Sequence, residues 1–305
     1  MPDTAVHNQP ASQSVAKAGQ QPAAGHADDF GVRRIGAVNW GGLRTLAERE
    51  IRRFMKVWMQ TVLAPSVQAV LFFLIFAVVI GGSDRVTSAV PYEQFLAPGL
   101  AIMALTQNAF QNTASSLIIG KVQGTVIDVL MPPLSAGELV MGYVLGGVAR
   151  ALVVCGVLLL VFWVLPLDAI TVTHPWAILY FGLMAAIFMS LVGLLTGVWA
   201  EKFDHVATIT NFIVAPLTLL SGTFYSVSIL KERMADGGWG ADQLAVLDAV
   251  LAVNPFFYVI DGFRYGFIGT ADASLTAGVT FIGLANAALA LIAWRVFRSG
   301  WKLKA

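Results

Sequence analysis

The sequence predicts an all-α integral membrane protein, and three observations carry that prediction. Hydrophobic residues make up 57% of the 305 and charged residues only 12%, with a mean hydropathy of +0.74, far from the composition of a water-soluble domain. Six apolar runs are each long enough to cross about 30 Å of hydrocarbon at 1.5 Å per residue. The charges collect between those runs, and unevenly. The net charge of +1 gives no sign of a nucleic-acid partner.

The chain opens with residues 1–38, rich in Ala, Gln, Ser and Gly and without an apolar run. This composition predicts a disordered tail and no signal peptide. Residues 39–305 are read as one transmembrane domain. It begins with Trp40, Leu43, Ala47, Ile51, Phe54 and Trp58, which recur at helical spacing, while Arg49, Arg52, Arg53 and Lys56 fall on the other face. That pattern predicts a basic amphipathic helix lying in the membrane surface.

The six spans are expected at Thr61 to Gly81, Phe95 to Ile119, Leu139 to Leu165, Trp176 to Ala200, Val206 to Ser226, and Thr276 to Phe297. Between the second and third lies Gly120 to Glu138, GKVQGTVIDVLMPPLSAGE, a polar break with helical patterning of its own. Val122, Val126, Val129 and Leu130 share one side of a helical wheel; Lys121, Gly124, Thr125 and Asp128 share the other. Pro132 and Pro133 stop this helix, and Ser135 followed by Glu138 predicts a capping box opening the next one. Such a segment is either a solvated loop helix or a lever on which another protein acts.

A seventh stretch, Leu244 to Phe267, contains Asp248, Asn254, Pro255, Asp261 and Arg264, each costly at mid-bilayer. Charge placement decides how it is read. With six spans, one side collects Lys17, Arg33, Arg34, Arg44, Arg49, Arg52, Arg53, Lys56, Lys121, Lys202, Arg295, Arg298, Lys302 and Lys304; the other receives Arg85, Lys231, Arg233 and Arg264, and Arg150 lies within a span. The positive-inside rule then predicts that both termini and the Gly120 to Glu138 loop are cytoplasmic. A seventh span would put the basic C-terminus outside. Leu244 to Phe267 is therefore expected to form re-entrant helices that dip into the outer face and break at Asn254-Pro255. Asp261 and Arg264, three residues apart on one helical face, are placed to pair.

Several function classes are disfavoured. Acidic residues are expected in tails, loops and the re-entrant stretch rather than mid-span, which argues against an ion-coupled transporter with its intramembrane carboxylates. The one Gly-Lys pair, Gly120-Lys121, lacks the rest of a phosphate-binding loop, since position 115 is Ser115 and Val122 follows. No cofactor is expected on this chain. His174 and His205 bracket the fourth span, and His7 and His26 are in the tail, so no histidine cluster assembles for metal or acid-base chemistry. Cys155 reads as a small buried hydrophobe. The second span carries Gln107, Asn108, Gln111, Asn112, Ser115 and Ser116 along one half of a helix, a stripe that faces either other helices or an aqueous path.

Four segments resemble the membrane subunit of an ABC-2 type transporter, a permease paired with a separate ATPase. GTVIDVLMPPLSAGELVMGYVLGG, Gly124 to Gly147, resembles the family's coupling helix and the start of its third span. LLSGTFYSVSIL, Leu219 to Leu230, resembles the end of its fifth span, and NPFFYVIDGFRYGF, Asn254 to Phe267, the block after the outer re-entrant helices. Trp40 to Trp58 resembles the connecting helix. The chain is similar to small bacterial permeases related to polysaccharide and nodulation-factor exporters. The resemblance implies a multi-pass protein of the bacterial inner membrane and a dimer of permeases working with cytoplasmic ATPases that hold ATP and Mg. It also implies export of a substrate the sequence leaves open. It places the ATPase-coupling contacts on Gly124, Thr125, Asp128 and Leu130, and an outer gate on Ser221, Gly222, Phe224, Tyr225, Asn254, Pro255, Asp261 and Arg264. A secondary transporter or channel acting without an ATPase is the alternative.

Overall fold

Long apolar runs give long helices, and every regular element among the described residues is helical. The computed structural model describes residues 36, 38–80, 90–165, 169–238 and 240–303. The predicted tail lies almost wholly outside the described residues, as do Gly81, Arg85 and Lys304. From Asn39 onward the chain forms one unit, and it is an all-α integral membrane protein. Its helices are α1 (Trp40–Met55), α2 (Ala64–Ile80), α3 (Tyr92–Val122), α4 (Val126–Leu130), α5 (Ala136–Val164), α6 (Pro175–Trp199), α7 (Phe203–Ile209), α8 (Ala215–Leu220), α9 (Val227–Asp236), α10 (Ala241–Val253), α11 (Pro255–Ile268) and α12 (Leu275–Ser299).

Six segments run between two ends of the bundle. One end gathers Asn39, Lys121, Glu138, Glu201 and Lys302; the other gathers Tyr92, Thr173, Phe224, Arg264 and Asp272. Met59–Val79, α5, α6, Phe203–Leu220 and α12 are long and apolar enough to cross a membrane. The sixth, α3, has 31 residues and about 46 Å of length, but its polar stripe keeps it below that hydropathy. It is tolerated because α3 is the central helix, packed by α2, α5, α6 and α11, so the stripe meets protein rather than lipid. Gly193 helps: a Cβ there would lie 2.4 Å from the Phe110 carbonyl oxygen, so α6 approaches the α3 backbone as only a glycine allows.

Two spans are irregular for a legible reason. Met59–Leu63 and Thr210–Val214 are π-helical turns, and each lies just before a proline, Pro65 and Pro216. A proline ring crowds the carbonyl four residues back, here Thr61 and Phe212, and one extra residue in the turn relieves the clash. The fifth span was expected to run to Ser226. Its helix ends at Leu220, and Ser221 to Tyr225 form a turn in which Gly222 has φ +80°, a conformation that favours glycine.

The expected re-entrant excursion is present. α10 and α11 meet at Asn254 and are bent by 78°. They are about 20 and 21 Å long, each short of the hydrocarbon thickness. Asp272, just beyond α11, binds the Ser226 hydroxyl at 3.1 Å and the Val227 amide at 3.0 Å. The excursion therefore leaves and returns at one point. α11 runs beside α6 from Phe256 against Phe188 to Gly266, whose carbonyl accepts from the Thr173 and His174 amides.

The first helix differs from expectation. Its buried stripe is Leu43, Leu46, Glu50 and Phe54, while Trp40, Ile51 and Trp58 are exposed. α1 lies against α5 rather than against lipid alone. A Cβ on Gly146 would lie 2.4 Å from Glu50 Cβ, so that glycine sets how closely the two helices approach.

Candidate functional site: the coupling end, the polar stripe and the outer turn

At the Lys121 end, the predicted capping box forms. The Ser135 hydroxyl accepts from the Glu138 amide at 3.3 Å, and the Glu138 carboxylate accepts from the Ser135 amide at 2.7 Å. The same carboxylate accepts from the Asn39 amide, joining the start of α1 to the start of α5. The lever helix proves to be one short turn, α4, with Val126 and Val129 buried in a cluster with Leu117, Leu139, Val198 and Phe297. Val122 does not share that face. It belongs to the end of α3 and is exposed, because Gly124 at φ +72° ends α3 and turns the chain into α4. Of the coupling residues, Gly124 and Asp128 are exposed, Thr125 is half-buried, and Leu130 packs onto the buried cluster. Lys121 bends back to donate to the Val198 and Ala200 carbonyls. Lys302 reaches Glu201 at 2.7 Å. Lys121, Val122, Ile127, Glu201 and Lys302 line a groove of about 310 Å³.

In the polar stripe the structure answers with partners from α1 and α5. Arg53 donates to the Asn112 carbonyl and side-chain oxygens at 2.8 and 3.1 Å, and to Ser115 at 3.3 Å. Arg150 donates twice to Asn108 Oδ1, at 3.1 and 2.9 Å. Glu50 is fully buried, accepts from Ser116 at 2.9 Å and pairs with Arg53 at 3.2 Å. Gln107, Gln111 and Ser115 are half-buried on the adjoining edge of α3. The acidic residues are thus not confined to loops and surfaces: Glu50 sits inside the bundle. Its signal lay in the spacing Leu43, Leu46, Glu50, Phe54, which keeps the helical period, but the charge at position 50 hid it.

At the Arg264 end, Asn254 caps α11 by accepting from the Phe256 amide at 3.0 Å and donates to Ser221 at 2.8 Å. Pro255 takes the first position of α11, where its missing N–H costs nothing. Asp261 and Arg264 do not form the expected pair. Asp261 accepts from the Asp272 and Ala273 amides, each at 2.9 Å. Arg264 turns to the Gly222 carbonyl at 2.8 Å, with its guanidinium 3.7 Å above the Phe95 ring. Backbone groups at fixed positions outcompete a helix-surface ion pair, while the buried Arg264 Nε has no hydrogen-bond partner among the described residues. Phe224 stacks near Phe76 and accepts from Tyr92 at 3.2 Å; the Tyr225 hydroxyl donates to the Leu220 carbonyl at 3.0 Å. Asn254 and Arg264 thus meet the Ser221 to Tyr225 turn, while Asp261 holds the chain at Asp272 and Ala273. A cavity of about 220 Å³, lined by Phe95, Ser226, Asp261, Arg264 and Asp272, lies beside it.

Six end-to-end segments, a re-entrant pair returning to its starting point, and a short helix projecting between the second and third spans define a polytopic transport permease. The chain belongs to the ABC-2 type transporter family, whose model matches residues 42–268, and it is the permease subunit of such a transporter. It is 34% identical over 268 residues to the "Inner membrane transport permease YadH" of Escherichia coli strain K12, covering 87% of this chain and 98% of that one. The Shigella flexneri protein of the same name matches to the same extent.

Proposed function

We propose that two copies of this chain form an inner-membrane exporter powered by a separate cytoplasmic ABC ATPase that binds ATP and Mg, with both termini and α4 on the cytoplasmic side. The observation that carries this reading is the surface of the Lys121 end. Ile127 and Met131 are 57% and 76% exposed, with Asp128 between them and Val122 nearby. Large apolar side chains at the water-facing end of a helical bundle suit a protein partner better than lipid. The rigid links from that surface into the bundle, through Glu138 and Asn39 and through Lys121, suit a lever. A second copy is part of the same reading, since one set of six spans would supply one wall of a two-sided path.

The test is co-purification of the chain with an ATPase carrying G-x-x-x-x-G-K-[ST]. Asp128→Arg should weaken assembly or substrate-stimulated hydrolysis at least tenfold, the scale of a lost charged interface partner. Parental hydrolysis and assembly in that variant would remove the assignment.

A further inference from the structure

Arg150 is the midpoint of α5, about 21 Å from either end. A guanidinium at such depth needs compensation. Arg150 has no ion-pair partner among the described residues; two of its N–H groups go to one neutral acceptor, Asn108 Oδ1. One helical turn along α3, Asn112 is fully buried, its Oδ1 is taken by Arg53, and its Nδ2 has no acceptor among the described residues. Gly146 on α5 faces that amide: a Cβ there would stand 3.5 Å from Asn112 Nδ2. The one carboxylate nearby, Glu50, is engaged by Arg53 and Ser116. Arg150 thus carries a charge that no carboxylate meets, and what is left unpartnered on its guanidinium and on the Asn112 amide nitrogen is donor capacity. Arg53, Arg150 and Ser115 are half-exposed, so the cluster opens to one edge of α3.

Neighbouring donors with surplus positive charge, away from bulk water, are complementary to an anion with two or more acceptor oxygens. We infer that Arg150, Arg53 and Asn112 form a recognition site for the phosphate or carboxylate group of the transported molecule. This rests on the permease assignment and adds the chemical class of its substrate. A purely structural network would favour no charge type.

The experiment uses the full chain with its ATPase in phosphatidylcholine nanodiscs and measures equilibrium binding, without ATP, of three labelled amphiphiles: decyl phosphate, decyltrimethylammonium and decyl maltoside. Decyl phosphate should bind at least tenfold more tightly than the other two. Arg150→Gln should erase that preference and leave decyl maltoside binding unchanged, while Arg150→Lys should retain part of it. The comparison among probes on the parent protein needs no variant and stands even if Arg150→Gln does not fold. Competition by phosphatidylglycerol added to the nanodisc would identify a lipid head group as the source of the anion; competition by inorganic phosphate alone would identify a soluble one. Equal binding of the anionic and cationic probes by the parent, or an unchanged preference in Arg150→Gln, overturns the proposal. Failure of the permease reading would show separately in sealed proteoliposomes, as absence of ATP-driven movement of every probe with binding intact.

Discussion

The fully buried Glu50 shows how one residue can hold two elements together. Its carboxylate is shared between Arg53 on its own helix and Ser116 on α3, so removing either partner leaves buried capacity unmet. A double-mutant cycle of Glu50→Ala and Ser116→Ala, read by thermal unfolding in detergent, should give a coupling of about 0.5–3 kcal/mol; strict additivity would mean the bond contributes nothing. Gly146 is the steric counterpart. Because its added Cβ would meet Glu50 Cβ, Gly146→Val should destabilise by about 1–3 kcal/mol, as overpacked cores do, and should expose α1 to trypsin. At the surface, hydrogen bonding and the charge of Lys302 hold the Glu201 carboxyl below its usual range. A depressed folded value means the tether is intact above the ordinary carboxyl value of 4.5 and is lost as pH falls through the lower folded value. Glu201→Gln should abolish the acid-side release of the C-terminal segment, measured by proteolysis across that range.

Among the elements, the α10–α11 excursion is the most specific. It is pinned at its mouth by Asp272 and at its tip by Asn254, and Lys231 pairs with Asp248 between α9 and α10. Losing the Asn254 cap should cost about 1 kcal/mol, and Asn254→Ala also removes the tie to Ser221, so it should loosen the Ser221 to Tyr225 turn while leaving the Lys121 end unchanged. Hydrogen exchange separates the two regions. Topology has its own check. Single cysteines at Ala235 and Ala271, both exposed, in a Cys155→Ala background should react with an impermeant thiol reagent from the same side of the membrane. Reaction from opposite sides would mean that the excursion crosses.

For the molecule as a whole, the least enclosed spans are Met59–Val79, Phe203–Leu220 and α12. The first two also carry the π-helical turns. On the proposed pairing these faces are available for the second copy, and native mass measurement of the active complex should find two permease chains. A single chain per active complex would rule out the pairing.

The sequence by itself determined the helical membrane class, six end-to-end segments, the capping box at Ser135 and Glu138 and the break at Asn254, because each follows from local rules of length, hydropathy and backbone geometry. Tertiary structure decided the partners. Whether the stripe on α3 met water or protein, whether Asp261 sought Arg264 or the amides of Asp272 and Ala273, and which stripe of α1 was buried were all competitions among groups distant in the chain. A local ion pair loses where fixed backbone donors are nearer, and an apolar periodicity loses where a half-buried arginine on the same helix and a glycine on the neighbouring one make room for a glutamate.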